Sequence, residues 1–211
     1  MAIDDLLDEH EQSERVLAWL RSNGAGLIGG VILGLALIIG WQWWGSRKAS
    51  ADMQAGNDYQ AMLDSLEAKD ITKAQSQAAA LGDTPYAPLA VLDLAKAQVE
   101  AGQRDAAIAT LRGAESPNPA LQQILHQRLA RLLIDAGKAQ EALQALGDAD
   151  DPTSLEVRGD AHVALGEREE ARKSYSEVLA KLDIASPGRR LVELKLTDVG
   201  GSPAKPEASI R

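Results

Sequence analysis

A long apolar segment near the start of the chain dominates its hydrophobic pattern. Residues 22–46 contain no charged side chain and lie between Arg21 and Arg47. At about 1.5 Å of rise per residue, the stretch from Gly24 to Trp44 measures roughly 30 Å as a helix, which matches the hydrocarbon core of a bilayer. The pattern therefore predicts one transmembrane helix over residues 22–46, preceded by a juxtamembrane segment over residues 1–21.

A cleaved signal peptide is the competing interpretation, because Ala49, Ser50 and Ala51 follow the apolar run in an A-x-A pattern. Signal peptides have a basic leader and an apolar stretch of roughly 7 to 15 residues. Here the leader carries six acidic residues against Arg15 and Arg21, and the apolar run is longer. We therefore expect a permanent anchor.

The orientation of this anchor does not follow from its flanking charges. Arg15 and Arg21 before the span are balanced by Arg47 and Lys48 after it. The bias of basic residues, which sets membrane topology, is therefore a tie. Three Trp residues at the C-terminal end mark a membrane interface, and such aromatic belts occur on both sides.

Small residues recur every fourth position within the span, at Ser22, Gly26, Gly30 and Gly34. Such a stripe on one helix face lets a second helix approach closely, so it predicts a packing face for another membrane protein or a second copy. The alternative is that Gly is simply common in membrane helices.

The segment after the anchor, residues 47–199, has the composition of a helical domain. All four Trp residues lie in or beside the span, the chain has no Phe, and the remaining aromatics are three Tyr residues. A core built from Ala and Leu favours packed helices, whereas strands use β-branched and aromatic residues. We therefore predict an all-α protein, with an N-terminal transmembrane helix followed by a helical domain.

Three segments of this domain share one pattern of small and large residues. In each, a small residue is followed seven positions later by Gly, five further by Ala, and four further by a larger residue. The positions are Ala95, Gly102, Ala107 and Leu111; Ala130, Gly137, Ala142 and Leu146; and Gly159, Gly166, Ala171 and Tyr175. The small residue allows two antiparallel helices to approach, and the Gly ends the first of them.

The pattern predicts a solenoid of helical hairpins of the tetratricopeptide type. Its period is 35 residues between the first two copies and 29 between the next two, which brackets the 34 residues of that repeat. Residues 48–66 and 71–81 predict a further hairpin ahead of the repeats. Residues 187–199 predict a capping helix, and residues 200–211 a disordered tail.

Charge and motifs argue against a nucleic-acid-binding protein and against an enzyme. The net charge is −9 and no basic stripe is present, whereas phosphate binding requires clustered Lys and Arg. The chain has no Cys, and its three His residues lie in separate segments. No catalytic motif is present. We therefore expect no catalytic residues, no metal site and no cofactor.

The first helices of the repeats are predicted to line a concave groove. Its mixture of apolar and charged residues suits an extended or helical peptide with apolar anchors, and Lys96 with Arg131 could bind a carboxylate. The alternative is that a stack of three repeats is mainly a spacer. The predicted groove residues are Leu92, Lys96, Val99, Gln127, Arg131, Ile134, Glu156, Asp160 and Val163.

The chain resembles the YfgM-like family of single-span, tetratricopeptide-containing proteins, which are ancillary subunits of the Sec translocon in Gram-negative inner membranes. The resemblance rests on EQSERVLAWLRSNG (residues 11–24), on GGVILGLALIIGWQWW across the span, and on TPYAPLAVLDLAKAQVEAG (residues 84–102).

This likeness implies an inner-membrane protein with a cytoplasmic N-terminus and a periplasmic domain. It also implies association with the Sec channel and with a membrane-anchored periplasmic chaperone of the prolyl-isomerase type, near emerging secretory polypeptides. The expected function is a non-enzymatic adaptor that couples newly translocated proteins to that chaperone. The alternative is a structural scaffold for another cell-envelope complex.

Overall fold

The computed structural model describes residues 2–203, with side chains from Ser13 onward. All regular structure in this range is α-helical, which confirms the predicted fold class. The helices are α1 (Ala2–Glu67), α2 (Ile71–Ala80), α3 (Ala87–Glu100), α4 (Arg104–Arg112), α5 (Pro119–Asp135), α6 (Ala139–Leu146), α7 (Pro152–Leu165), α8 (Arg168–Lys181) and α9 (Arg189–Asp198).

The chain divides into two compact units, with the boundary after Gln54. The first unit contains the apolar part of α1. By length and composition, the stretch Ser13–Glu67 is a candidate membrane span, and its large apolar side chains are exposed. Exposure of this kind is expected of a helix that is solvated by lipid. The predicted bounds of the span and of the repeat domain stay predictions.

The second unit is a stack of helical hairpins, as the repeat pattern predicts. Helices α3 and α4, α5 and α6, and α7 and α8 pack as antiparallel pairs, and α9 packs on α8. The end of α1 and α2 form the hairpin expected ahead of the repeats, with a core that includes Met62, Ala74 and Leu94. The buried side chains are almost all aliphatic, because the domain has no Phe or Trp.

The Gly residues predicted to end the first helix of each repeat do so in the left-handed conformation. Gly102, Gly137 and Gly166 have φ of 75°, 74° and 79°. In each case the Gly N–H and the next N–H donate to carbonyls of the last helical turn, which is the Schellman arrangement. The predicted role of these residues is confirmed.

The small residues of the pattern lie in the core or at the contact between paired helices. Ala95 and Ala130 are buried in the main core. In the third repeat the position is Gly159, because its neighbour on α8 is a Tyr rather than a Leu. A Cβ added at Gly159 would lie 2.7 Å from Cδ1 and 2.9 Å from Cζ of Tyr175, closer than carbon atoms pack.

Helix α9 caps the stack, as predicted for residues 187–199. Val192, Leu196 and Val199 bury their side chains against α7 and α8. Gly200 has φ of 83°, and the N–H of Gly201 donates to the carbonyl of Leu196 at 2.8 Å, so the helix ends on another Schellman cap. The predicted tail falls mainly on residues 204–211, which lie outside the described residues.

Candidate partner-binding site

An open groove of about 610 Å³ lies between the first helices of two successive repeats, α3 and α5. We call it the α3–α5 groove. Its lining is mostly apolar, and Val99 and Ile124 are partly exposed there. The lining residues are Leu92, Asp93, Ala95, Lys96, Val99, Glu100, Leu111, Ile124, Arg128, Arg131 and Leu132.

The charges around this groove leave an excess of positive charge in an acidic domain. Arg128 and Arg131 make no ion pair with any described residue. Lys96 approaches Glu100 at 3.9 Å, but both side chains are well exposed, so the pair contributes little. The groove can therefore offer two guanidinium groups to a carboxylate beside an apolar surface.

Asp93, which also lines the groove, already has a hydrogen-bond partner within the domain. The hydroxyl of Tyr59 donates to its Oδ2 at 2.6 Å, and the Tyr59 ring stacks on Tyr86 with centroids 5.4 Å apart. Burial, followed by this hydrogen bond and the charge of Asp93, raises the pKa of Tyr59 to about 12. The carboxylate of Asp93 therefore links α1 to α3 through its hydrogen bond with Tyr59.

Gln127, one of the predicted groove residues, instead joins α5 to α7. Its Nε2 donates to Oδ1 of Asp151 at 3.1 Å and to Oγ of Ser154 at 3.0 Å. Asp151 is the N-cap of α7 and also accepts a hydrogen bond from Gln123. Burial raises the pKa of Asp151, but hydrogen bonds from Ser154, Gln123 and Thr153 together outweigh it and hold that pKa below its usual value.

The predicted groove residues on α7 lie in a different environment. Nζ of Lys195, on α9, donates to Oε1 of Glu156 at 2.6 Å and to both carboxylate oxygens of Asp160 at 2.8 Å. The hydroxyl of Tyr175 donates to Oδ1 of Asp160 at 2.7 Å. Burial, and then this hydrogen bond and the nearby acidic charges, raise the pKa of Tyr175 well above its usual value.

Asp160 and Val163 also line a second cavity, of about 420 Å³, together with residues of α8 and α9. Lys195 compensates the carboxylate of Asp160 there, and Arg168 and Asp198 line the same cavity. The structure thus places the nine predicted residues in different surroundings. Leu92, Lys96, Val99 and Arg131 line the α3–α5 groove, and Glu156, Asp160 and Val163 lie by α9. Gln127 is bonded to α7, and Ile134 packs against the main core.

Ile124, Arg128 and Lys195 were missed by the sequence reasoning. Ile124, Arg128 and Arg131 follow an i, i+4, i+7 spacing on α5, which is one helix face. That spacing was a usable signal, shifted by three residues from the predicted stripe of Gln127, Arg131 and Ile134. Lys195 had no comparable signal, because it lies outside the repeats that defined the register.

The predicted small-residue stripe of the anchor is open on the described part of the chain. A Cβ added at Gly26, Gly30 or Gly34 would meet no atom within 4 Å. Ser22 donates its hydroxyl to the carbonyl of Trp19 at 2.9 Å, which satisfies that polar group within the helix. The stripe can therefore accept a close helix.

The titratable groups do not converge on a reactive centre in the range that the structure describes. No group of three or more His, Asp or Glu residues there has the arrangement of a metal site. His162 pairs with Glu167 at 2.7 Å, and His126 contacts Gln122, both near the surface.

Comparison with known proteins agrees with this architecture. Residues 17–201 match the tetratricopeptide repeat-like domain family. The chain is 28% identical to an ancillary SecYEG translocon subunit of Escherichia coli (strain K12), over 91% of this chain and 97% of that protein. Proteins of the same name from Haemophilus influenzae and Neisseria gonorrhoeae are 27% and 28% identical, over 81% and 90% of this chain and 88% and 96% of theirs. These relatives confirm the resemblance to the YfgM-like family.

A solved structure supports the fold alone. A crystal structure of nearly identical TPR-like repeats of the kinesin light chain type from Podosopora anserina aligns with a TM-score of 0.51 and 17% identity. The alignment covers 70% of this chain and 85% of that one. The two chains therefore share the fold of a hairpin stack.

Proposed function

The chain belongs to the tetratricopeptide repeat-like domain family, and from this premise we propose that it is a non-enzymatic, membrane-anchored adaptor of the Sec translocon. In this proposal the N-terminus is cytoplasmic and the repeat domain is periplasmic. The domain couples newly translocated proteins to a membrane-anchored chaperone of the prolyl-isomerase type. The observation that carries the proposal is the order of parts, an apolar anchor followed by a helical-repeat domain with an open groove, in a chain whose relatives are translocon subunits.

Each part of the molecule has a task in this proposal. The anchor keeps the domain at the membrane, and its stripe of Gly26, Gly30 and Gly34 packs against a helix of the channel. The α3–α5 groove binds a segment of the chaperone or of a secretory polypeptide. Its apolar lining takes the anchoring side chains, while Arg128 and Arg131 favour a segment with a carboxylate nearby.

Charge reversal in the groove tests the binding role of the repeat domain. Lys96→Glu with Arg131→Glu removes two cations and adds two anions at the groove, so we expect a loss of chaperone binding by the full-length protein. Lys138→Glu with Lys173→Glu is the matched control, because both Lys residues are exposed and lie outside the groove. Equal recovery of the chaperone with the double variant and the control would contradict a binding role for the groove.

Filling the small-residue stripe tests the docking role of the anchor. Replacing Gly26, Gly30 and Gly34 with Leu places three large side chains where a helix should approach closely. We expect the Sec channel to be lost from the purified complex, while a triple variant with Leu at Gly24, Ala25 and Ala36, which lie away from the stripe on the helix, retains it. Unchanged recovery of the channel with the first variant would remove the docking role of the stripe.

A further inference from the structure

The outward face of α9 carries two large apolar side chains that are more than half exposed. Leu191 is 53% exposed and Leu194 is 57% exposed. The terminal helix of a helical solenoid ordinarily presents a polar outer face, because no further repeat packs on it. The two Leu residues lie on adjacent turns of the helix and form one apolar stripe. The capping helix therefore has an apolar surface where a polar one is expected.

Leu194 also differs from the residues at the equivalent position of the three repeats. Helix α9 ends on Gly200 in the cap that also ends the first helix of each repeat. Six residues before that Gly, the three repeats have Lys96, Arg131 and Asp160, all charged. The corresponding residue of α9 is Leu194. An apolar side chain at a position that is otherwise charged indicates a contact made by this helix alone.

Two charges flank Leu194 on α9 and are unfavourably placed for an isolated helix. One of them, Asp198, also lies at the edge of the second cavity, where its charge contributes to the raised pKa of Tyr175. Arg190 lies in the first turn and Asp198 is the last residue, whereas the helix dipole favours the opposite order. Neither side chain makes an ion pair with any residue that the structure describes. The adjacent Arg189 differs, because it donates to the carbonyls of Leu179 and Leu182 at the end of α8.

We propose that this face binds the α9 helix of a second copy of the chain, in an antiparallel pair related by a two-fold axis beside Leu194. Arg190 and Asp198 are each four residues from Leu194, so the axis brings each Arg190 level with Asp198 of the second copy. Two equal ion pairs then flank an apolar centre of Leu191 and Leu194 from both copies. Each charge also comes to lie by the end of the opposing helix whose dipole attracts it.

The arrangement favours a second copy over an unrelated partner, because the face is complementary to itself. One short helix from each copy gives a small contact, which by area alone is weak in solution. Anchoring both copies in one membrane raises their effective concentration, so that a small contact is sufficient. This pairing does not depend on the adaptor role, and it leaves the α3–α5 groove free.

Cysteine cross-linking of the full-length protein in native membranes tests the pairing. The chain has no Cys, so Leu194→Cys introduces a single thiol beside the proposed axis, where two copies approach closely enough for a disulfide. Mild oxidation should convert this variant to a disulfide-linked homodimer. Leu165→Cys, an exposed apolar position at the end of α7 and outside the α3–α5 groove, is the matched control and should remain monomeric.

Charge exchange then tests the register. In the Leu194→Cys background, Arg190→Asp or Asp198→Arg should each lower the dimer fraction several-fold, because like charges then face one another. Combining the two changes should restore it. Thermal unfolding followed by circular dichroism shows that each variant remains folded. A monomeric Leu194→Cys protein, a cross-link only to a different protein, or a double variant no better than the single ones would overturn the proposal.

Discussion

Replacing Gly159 with Ala should destabilise this protein, although Ala is ordinarily the better helix residue. In an unobstructed helix interior, Gly to Ala stabilises by roughly 0.5–1 kcal/mol. At Gly159 the added methyl meets three carbons of the Tyr175 ring. The ring has little room to move, because it is 2% exposed and its hydroxyl is bonded to Asp160, which Lys195 holds in turn.

The expected cost follows from this fixed ring. Overpacking a closed site costs about 1–3 kcal/mol, which exceeds the gain in helix propensity. For a domain of this size, each kcal/mol lowers the melting temperature by roughly 2–4 °C. Gly159→Ala should therefore melt several degrees below the parent protein.

Thermal unfolding of the full-length protein in mild detergent measures this effect. Circular dichroism is the suitable probe, because all four Trp residues lie in or beside the anchor and do not report on the domain. Tyr175→Leu supplies the control background, since Leu111 and Leu146 occupy the equivalent positions. In the Tyr175→Leu background, Gly159→Ala should be neutral or stabilising. The coupling energy between the two substitutions then offsets the destabilisation that Gly159→Ala causes in the parent protein. A parent protein that tolerates or gains from Gly159→Ala would refute the reasoning.

Three further predictions concern single side chains. Lys69 ends α1 with φ of 59°, so Lys69→Gly should raise the free energy of unfolding by about 0.5–1 kcal/mol, as thermal unfolding would show; a loss would contradict this. Lys195→Met leaves two partly buried carboxylates unpaired and should cost about 1–3 kcal/mol in urea unfolding, whereas an unchanged midpoint would contradict the bridging role. The folded-state pKa of Tyr59 lies above its unfolded value, so its contribution to stability should fall as pH rises from about 10 to about 12. Tyr59→Phe should lessen that fall, and an unchanged pH profile would contradict it.

Local features of this fold could be predicted from the sequence because each depends on neighbouring residues. The anchor follows from one uninterrupted apolar run, and the hairpins follow from Gly102, Gly137 and Gly166, whose left-handed conformation ends a helix wherever it occurs. The close contact of Gly159 with Tyr175 was also visible in the sequence. The other two repeats pair Ala with Leu at these positions, whereas the third pairs the smaller Gly with the larger Tyr.

The candidate site was harder to predict, because it depends on how successive repeats are rotated against one another. Gln127 and Arg128 are neighbours in sequence, yet Gln127 makes a hydrogen bond between repeats whereas Arg128 lines the α3–α5 groove. The repeat pattern predicted that Glu156 and Asp160 line an open groove. In the structure, Lys195 of the capping helix α9 binds both carboxylates. Contacts between elements so far apart in sequence produce no periodic pattern from which they could be predicted.

Purification of the tagged full-length protein from native membranes in mild detergent, with co-purifying proteins identified by mass spectrometry, tests the central claim most directly. The account predicts recovery of the Sec channel together with a membrane-anchored periplasmic chaperone of the prolyl-isomerase type. Recovery of a different envelope complex, with neither of these proteins present, would contradict it and favour a scaffold role.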